Sequence, residues 1–328
     1  MQAAQLFVGL DIGGTKTAVL LVDSNNTLLG KATLPTRAAT PDELLAAIAR
    51  AIHTALTEAN ATPQQIESIG MGVPGQVDPA TGIVQMAVNL NLQTYPLGAA
   101  VSAHFKVPTF LENDVRTAAI GAFNHLCQTE PVQTIAYLSI GTGIAAGLVL
   151  NGRLYRGHNG MAGEIGHMLV ETDGEPCKCG MHGCLETIVS GPAIVRQFLA
   201  INPQTKSQVR HAGDVYCLAD EGHPVAQNVV KHVSQYLARA IQWLIMSYDV
   251  EKVVLGGGVT RSGHRFLAPI LREMATLRQQ SSLAAELLLD ENLHLISPDF
   301  NPGLWGAVQL AKQIFLEEVA VATAINAS

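Results

Sequence analysis

The strongest constraint on this chain is that it carries one strand–turn–strand pattern twice. Setting Val8–Val22 against Ala136–Leu150 aligns Leu10 with Leu138, Ile12 with Ile140, Gly13 with Gly141 and Leu20 with Leu148 at an offset of 128 residues. A short period would build a solenoid, whereas one this long implies duplicated α/β domains, each offering a glycine turn to a shared cleft. The length of 328 residues agrees, since it exceeds what one core usually serves. The division expected is an N-terminal α/β domain over 1–120 and a larger C-terminal one over 121–302. A closing helix, about 303–328, packs back on the first. No Pro- or Ser-rich linker separates them, so a hinge is expected in place of a tether.

Between the glycine hairpins, PDELLAAIARAIHTALTEA has apolar residues at helical spacing behind a proline, which predicts a helix over Pro41–Ala59. IESIGMGVPG reads as strand and turn, and Lys106–Glu112 as a short strand. NDVRTAAIGAFNHL reads as a helix capped near Asn113 or Asp114. Further on come a long helix over Val225–Ser247, a strand ending in Gly256-Gly257-Gly258, a helix over Ser281–Leu289, the strand LHLIS and the closing helix from Gly303.

Hydrophobic residues make up 48% and charged ones 14%. No apolar run reaches the ~18–20 residues that span a bilayer. Nor is there a charged, then apolar, then small-residue leader, so a soluble cytoplasmic protein is expected. A net charge of −7 without basic clusters argues against nucleic acid. Aromatics, at 5%, give little for bases to stack on. A small ligand is the expectation.

Cys177, Cys179 and Cys184 fall within eight residues, alternate with Gly180 and Gly183, and follow His167 by ten positions. Three thiolates and an imidazole complete the tetrahedral set of a structural Zn²⁺, with bonds of roughly 2.0–2.3 Å and no position left for water. A disulfide with a spare cysteine is the competing reading, and the absence of a leader counts against it. Glu164 and Glu186 flank the knuckle and, with the free side of His167, suit a polyol. Cys127 and Cys217 lie in helix-like surroundings and are expected to be buried thiols.

Asp11, Gly13, Gly14, Thr15 and Lys16 occupy the first turn and Gly141, Thr142 and Gly143 the second, with backbone N–H groups free to face an anion. This is not a Walker loop, because a second strand follows where a helix is needed. Each turn alone could be a plain hairpin; two at equivalent positions, with Gly256–Gly258 after a third strand, point to phosphate. Asp114 has two readings. It is the general base that phosphoryl transfer to a hydroxyl requires, or only a helix cap, worth about 1 kcal/mol. Asp11 is placed to hold Mg²⁺ through water.

Taken in order, DIGGTK, GVPGQVD, ENDV, SIGTG with NGRLYRG, GEIGH, CKCGMHGCLE and VVLGGG resemble the ROK family of sugar kinases and repressors, over roughly residues 6 to 315. The resemblance implies two duplicated ribonuclease H-like domains of the actin-like ATPase type flanking a cleft, with a zinc-binding loop in the second. It implies ATP phosphates at Asp11, Gly13, Gly14, Thr15, Lys16, Gly141, Thr142 and Gly143, with adenosine near Gly256, Gly257 and Gly258. Sugar contacts are implied at Asn113, Asp114, Glu164, His167 and Glu186, and also at Gly75 and Asn89. The implied zinc ligands are His167, Cys177, Cys179 and Cys184.

The match departs from the family in two places. NDVRTAAIGA puts Arg116 where asparagine is usual and Ala122 where an acid is, and GTGIAAG puts Ala145 and Ala146 where glycines are. Arg116 either alters the sugar pocket or pairs with a nearby carboxylate; pairing is expected. Repressors of the family carry a helix-turn-helix, and a first strand at Leu6 leaves no room for one. An ATPase or scaffold of the actin type leaves the knuckle and its acids unexplained. The expected activity is therefore ATP-dependent phosphorylation of a hexose, glucose to glucose 6-phosphate first. Fructose, mannose, an N-acetylhexosamine or a cyclitol stay open as acceptors. Apolar helices in the second domain suit a homodimer or higher oligomer.

Overall fold

The structure is a computed structural model that describes residues 5–326, with side chains through 313 and at Phe315. The chain divides into two compact units, one holding the residues up to Glu130 and those from Asn301 onward, the other Pro131–Phe300. A boundary at 120 would cut a helix in its middle, and so the division falls ten residues later.

The first unit opens with β1 (Leu6–Ile12), β2 (Lys16–Asp23) and β3 (Leu28–Pro35), then α1 (Pro41–Glu58). Thr40 caps α1 by accepting the Glu43 N–H at 3.3 Å, and the Glu43 carboxylate returns to the Ala39 N–H at 2.7 Å. With Pro41 in its first turn the start is fixed, and Leu44, Ile48, Ile52 and Ala55 form its buried stripe. β4 (Ile66–Val73) follows, then a small sheet of β5 (Gln76–Asp78), β6 (Ile83–Ala87) and β7 (Leu92–Tyr95), then α2 (Leu97–Phe105), β8 (Thr109–Asn113) and α3 (Asp114–Leu126). The strand expected from Lys106 begins three residues later, because Lys106 closes α2 in the left-handed region at φ 60°.

The second unit contains β9 (Ile135–Ile140), β10 (Ile144–Leu150), β11 (Arg153–Tyr155), α4 (Glu186–Val189), α5 (Gly191–Ile201), α6 (Ala212–Asp220) and α7 (Pro224–Tyr248). It ends with β12 (Lys252–Gly256), α8 (His264–Gln280), α9 (Ser282–Leu287) and β13 (Leu293–Leu295), after which α10 (Pro302–Asn326) belongs to the first unit.

The two main sheets share one plan. Their orders are β3-β2-β1-β4-β8 and β11-β10-β9-β12-β13, and in each the first three strands are antiparallel and the last two join in parallel. The repeat is thus structural, with one difference. Ile12 pairs with Thr17 across a four-residue turn, whereas Ile140 pairs with Ile144 across three. The second strands are therefore one residue out of cross-strand register although their sequences align without a gap.

Alternation along β1 sends Leu6, Val8, Leu10 and Ile12 to the α1 side, where they join Leu44, Ile48 and Ile52. Phe7 faces the other way, with Leu304 and Val308 of α10. On that second side glycines permit backbone contact: a Cβ at Gly70 would meet the Ala307 carbonyl, and one at Gly306 would meet the Thr117 carbonyl. Ser68 closes the fit by donating to Ala311 O at 3.1 Å. Two lone cysteines depart from expectation, since Cys127 is exposed just past α3 and Cys217 is only partly buried.

Gly306→Val should cost about 1–3 kcal/mol through overpacking against α3. A melting temperature equal to the wild type's would mean that α10 does not approach α3 this closely.

Candidate functional site

In the first unit, Phe7, Gly9 and Asp11 share the face of β1 that looks toward α10, so the strand's alternation alone delivers Asp11 to the start of that helix. A Cβ at Gly303 would lie 3.4 Å from Asp11 Oδ2 and 3.3 Å from Asn301 Oδ1. Asn301 caps α10 by accepting the Leu304 N–H at 3.2 Å, and it also hydrogen-bonds the Asp11 carboxylate. Burial pushes the Asp11 carboxyl upward and the neighbouring Asp114 pushes it further, while Lys16 and Asn301 pull it back. Nothing in the sequence pattern singled out Asn301; only the return of the chain brings it here.

The turn after β1 is closed by the Gly13 N–H donating to Lys16 O at 2.9 Å, and Gly14, Thr15 and Lys16 stand exposed. Thr36 supports it from β3's end, donating through its hydroxyl to Gly13 O at 2.6 Å and through its N–H to Thr15 O at 3.1 Å. Asn89 lies against Gly14, whose missing Cβ leaves room for the Asn89 carbonyl.

Asp114 is the first residue of α3, and Asn113 is its cap, accepting the Val115 and Arg116 N–H groups at 3.0 and 3.2 Å. The Asn113 amide donates to Gly75 O at 3.1 Å, so these two sequence-predicted residues sit together. Gly75 itself needs φ 91° and leaves no space for a side chain beside Met86 O. Burial pushes the Asp114 carboxyl above its ordinary range, against the opposing pull of the Val115 amide, its own amide, Arg116 and Asn113. Asp11 and Asp114 are close enough to sense each other's charge, with Lys16 the cation acting on Asp11. Such a pair of acids fits a hydrated Mg²⁺.

In the second unit the Gly141–Gly143 turn is closed by Gly141 N–H to Gly143 O at 2.9 Å, with Thr142 exposed at its tip. Gly141 O accepts the Gly191 N–H at 2.8 Å, which sets the start of α5 beside the turn. Glu186 accepts the Ile144 N–H at 3.2 Å and fills the space that a side chain at Gly143 would need. A cavity of about 1220 Å³ opens here, lined by Gly141, Thr142, Gly191, Val195, Leu199 and Gly258, among others. Apolar walls against a glycine turn suit a nucleoside behind its phosphates. Gly256 presses on Tyr137 and Gly257 on Ile140, so of the three glycines only Gly258 lines the cavity. Gly257 adopts φ 97°, which turns the chain away from β12. The α5 residues were not visible as site residues in the sequence, because an amphipathic helix looks the same whether its exposed rim lines a cavity or meets solvent.

The knuckle lies between β11 and α4. The ligand atoms of His167, Cys177, Cys179 and Cys184 are all within 4.8 Å of one another. Cys179 Sγ is 3.6 Å from Cys184 Sγ, and Cys177 Sγ is 3.5 Å from His167 Nδ1, leaving Nε2 free. A tetrahedron with bonds of ~2.3 Å has edges of ~3.8 Å, so the set fits Zn²⁺. Burial and the adjacent sulfurs push the Cys184 thiol up to about 12, a cost that a coordinated cation reverses. Gly180 and Gly183 take φ 94° and 72° to wrap the loop, and Gly183 packs against Glu171 O. Glu171 is tied to α7 by Tyr236, whose hydroxyl donates to it at 2.9 Å. Glu164 is exposed at the approach to His167.

The ROK family matches residues 7–314. The chain belongs to the ROK family. A glucokinase of Halalkalibacterium halodurans is 34% identical over 80% of this chain and 83% of its own length. The ROK hexokinase of Thermus thermophilus superposes with a TM-score of 0.79 at 30% identity, covering 95% of this chain and all of its own. A ROK glucokinase of Streptomyces griseus, solved with glucose and AMPPNP, gives 0.76 at 27% identity, covering 94% and 99%. These relatives make the chain an ATP-dependent sugar phosphotransferase of that family with an actin-like ATPase fold.

Wild-type protein should hold about one zinc per chain by elemental analysis, and Cys179→Ser should lose most of it. Metal-free wild-type protein with an unchanged melting temperature would remove the zinc assignment.

Proposed function

We propose that this ROK protein transfers the γ-phosphoryl group of ATP to the 6-hydroxyl of glucose, with Asp114 as general base. The observation that carries the reading is the placement of Asp114. It begins α3 beside Asp11, at a corner whose every neighbouring amide is engaged, and burial makes it a stronger base than a surface carboxylate. The glucokinase relative and the glucose-bound structure favour glucose as acceptor.

In this mechanism Asp114 takes the proton of the sugar hydroxyl as that oxygen bonds to the γ-phosphorus. The bond to the bridging oxygen of ADP breaks on the far side. The amides and hydroxyls of the Thr15 and Thr142 turns receive charge on the phosphoryl oxygens. Asp11 would hold Mg²⁺ through water, and the ion would neutralise charge on the nucleotide. The free Nε2 of His167, with Glu164, Glu186 and Asn113, would bind hydroxyls away from the reacting one. Gly75 and Asn89 would shape the sugar side. His167, Cys177, Cys179 and Cys184 would hold Zn²⁺, whose contribution is to fix the His167 ring. No helix among the described residues is long and apolar enough to cross a membrane. We place the work in the cytoplasm, where ATP and hexoses meet, with a homodimer as the working oligomer.

A coupled ADP-release assay over glucose, fructose, mannose, N-acetylhexosamines and cyclitols should show the highest kcat/KM with glucose; another acceptor in first place would replace it, and no turnover with any would sink the kinase reading.

Asp114→Asn should lower kcat about 10²–10⁴-fold while sugar still binds. In the wild type, kcat/KM should fall as pH drops through a pKa above the ordinary carboxylate value of about 4. Because the folded pKa is raised, the folded state favours the protonated acid, and stability declines as pH rises from the ordinary value through the raised one. Asp114→Asn removes that penalty, so its melting temperature should exceed the wild type's at neutral pH and converge with it in acid. A variant that melts lower at neutral pH would contradict this electrostatic account.

A further inference from the structure

The corner that presents Asp114 rests on a buried ion pair. Glu112, on β8, is fully inaccessible and Arg116, on α3, is 4% exposed. Arg116 Nε donates to Glu112 Oε1 at 2.7 Å, and the same oxygen accepts the Asn113 backbone N–H at 2.8 Å. Although the spacing is i, i+4, the pair is not an ordinary helix-surface bridge. Glu112 is the last residue but one of a strand and Arg116 lies in the first turn of the helix that follows, so the bond crosses the bend between them.

Burying a guanidinium and a carboxylate is an expensive way to fill space, since two apolar side chains of similar volume would do so at no desolvation cost. What the ions supply is direction. Glu112 fixes the backbone at Asn113, Asn113 fixes the amides of Val115 and Arg116, and the Asn113 side chain reaches Gly75 O. Asp114 stands in the middle of this set, two residues from each ionic partner.

We propose that Arg116 is a positioning residue for phosphoryl transfer, locking the Glu112–Asn113–Asp114 corner through Glu112 and setting a fixed positive charge on the Asp114 side of the helix. The inference rests on the reading of Asp114 as the base. The groups acting on that carboxylate are Arg116, the Val115 amide, its own amide and the Asn113 side chain; its charge is felt by Asp11 of β1, which Lys16 and Asn301 also address. Among these, Arg116 is the cation that opposes the upward push of burial on Asp114.

Three variants separate charge from geometry. Arg116→Met removes the cation, so the acid limb of kcat/KM should move up by roughly one pH unit, the scale of an opposite charge at such range. Its kcat at neutral pH should fall roughly 10²-fold, as displacement of a reacting group by an ångström does. Arg116→Lys keeps the charge without the planar fork, so the acid limb should return toward the wild type while kcat recovers only in part. Glu112→Gln/Arg116→Met leaves no unpaired buried charge and should fold stably, yet keep the shifted limb and the low kcat.

If the double variant instead matches the wild type in both kcat and pH limb, the pair is only structural and the proposal fails. A carbon-13 titration of the Asp114 carboxyl, its signal identified by its loss in Asp114→Asn, tests the charge without turnover. It should move to higher pH in Arg116→Met, and no movement overturns the proposal. Should the wild type phosphorylate no sugar, the kinase reading falls while this titration still decides whether Arg116 sets Asp114.

Discussion

Two acids set within range of each other in a partly dehydrated corner impose the main constraint on the first unit. Asp11 and Asp114 are both pushed toward the neutral form by burial, and Asp114 adds its charge to the burden on Asp11. Much of the surrounding structure answers that cost. Asn301 donates to Asp11 from the start of α10, Lys16 stands beside it, and α3 begins with Asp114 so that the Val115 amide donates to its carboxylate. The compensation is partial, which leaves a strong base and room for a cation. A fully neutralised pair would be more stable and chemically idle.

The knuckle meets a different difficulty by a different means. Residues 167–184 are mostly exposed and contribute little to the second unit's core, which is built from β9, β10, β12 and the helices α5 to α8. A loop of this kind cannot hold a shape by burial alone. Four convergent ligand atoms are placed so that a bound metal would supply the missing cross-link, and two glycines in left-handed conformations let the backbone close around them. The Leu169–Cys184 bridge and the Leu185 N–H to Met168 O bond at 3.0 Å then join the loop to α4. Glu186, the first residue of α4, is thereby tied by backbone hydrogen bonds to the segment that follows His167 on one side and to the Gly143 turn on the other.

The fold was legible where short-range rules decide it. The glycine hairpins, α1 with its capping threonine and proline, and Asn113 as a cap all follow from periodicity and local chemistry. The knuckle was legible because cysteine spacing has few uses. What the sequence hid depends on long-range return of the chain. Asn301 lies 290 positions from Asp11, and no local pattern marks it as a ligand of that carboxylate. The α5 wall of the second unit's cavity was hidden for a related reason. Lys106 was misread as strand because a lysine at φ 60° carries no signature a glycine would have given. The exposure of Cys127 follows from its position one residue past α3, where the core face of the helix has already ended. Arg116 paired with a carboxylate as expected, but the burial of the pair depends on α3 packing over β8.

The unequal turns show how a duplicated plan comes to serve unequal roles. Both hairpins present backbone amides and a threonine, so either could receive a phosphoryl group. The first turn is one residue longer, and it alone brings a carboxylate and a lysine, Asp11 and Lys16, to its two ends. The second has Ser139 and Ile144 around it, and its nearest acid, Glu186, holds the Ile144 amide through one carboxylate oxygen. The first turn therefore suits a metal ion and the second an anion with apolar appendages, whose cavity walls include Val195 and Leu199. The different closure of the turns also shifts the cross-strand register by one residue, so the two strands after the turns could not exchange partners even if their sequences were swapped. The asymmetry is carried by length as much as by side chains, and for that reason an ungapped alignment of the two repeats conceals it.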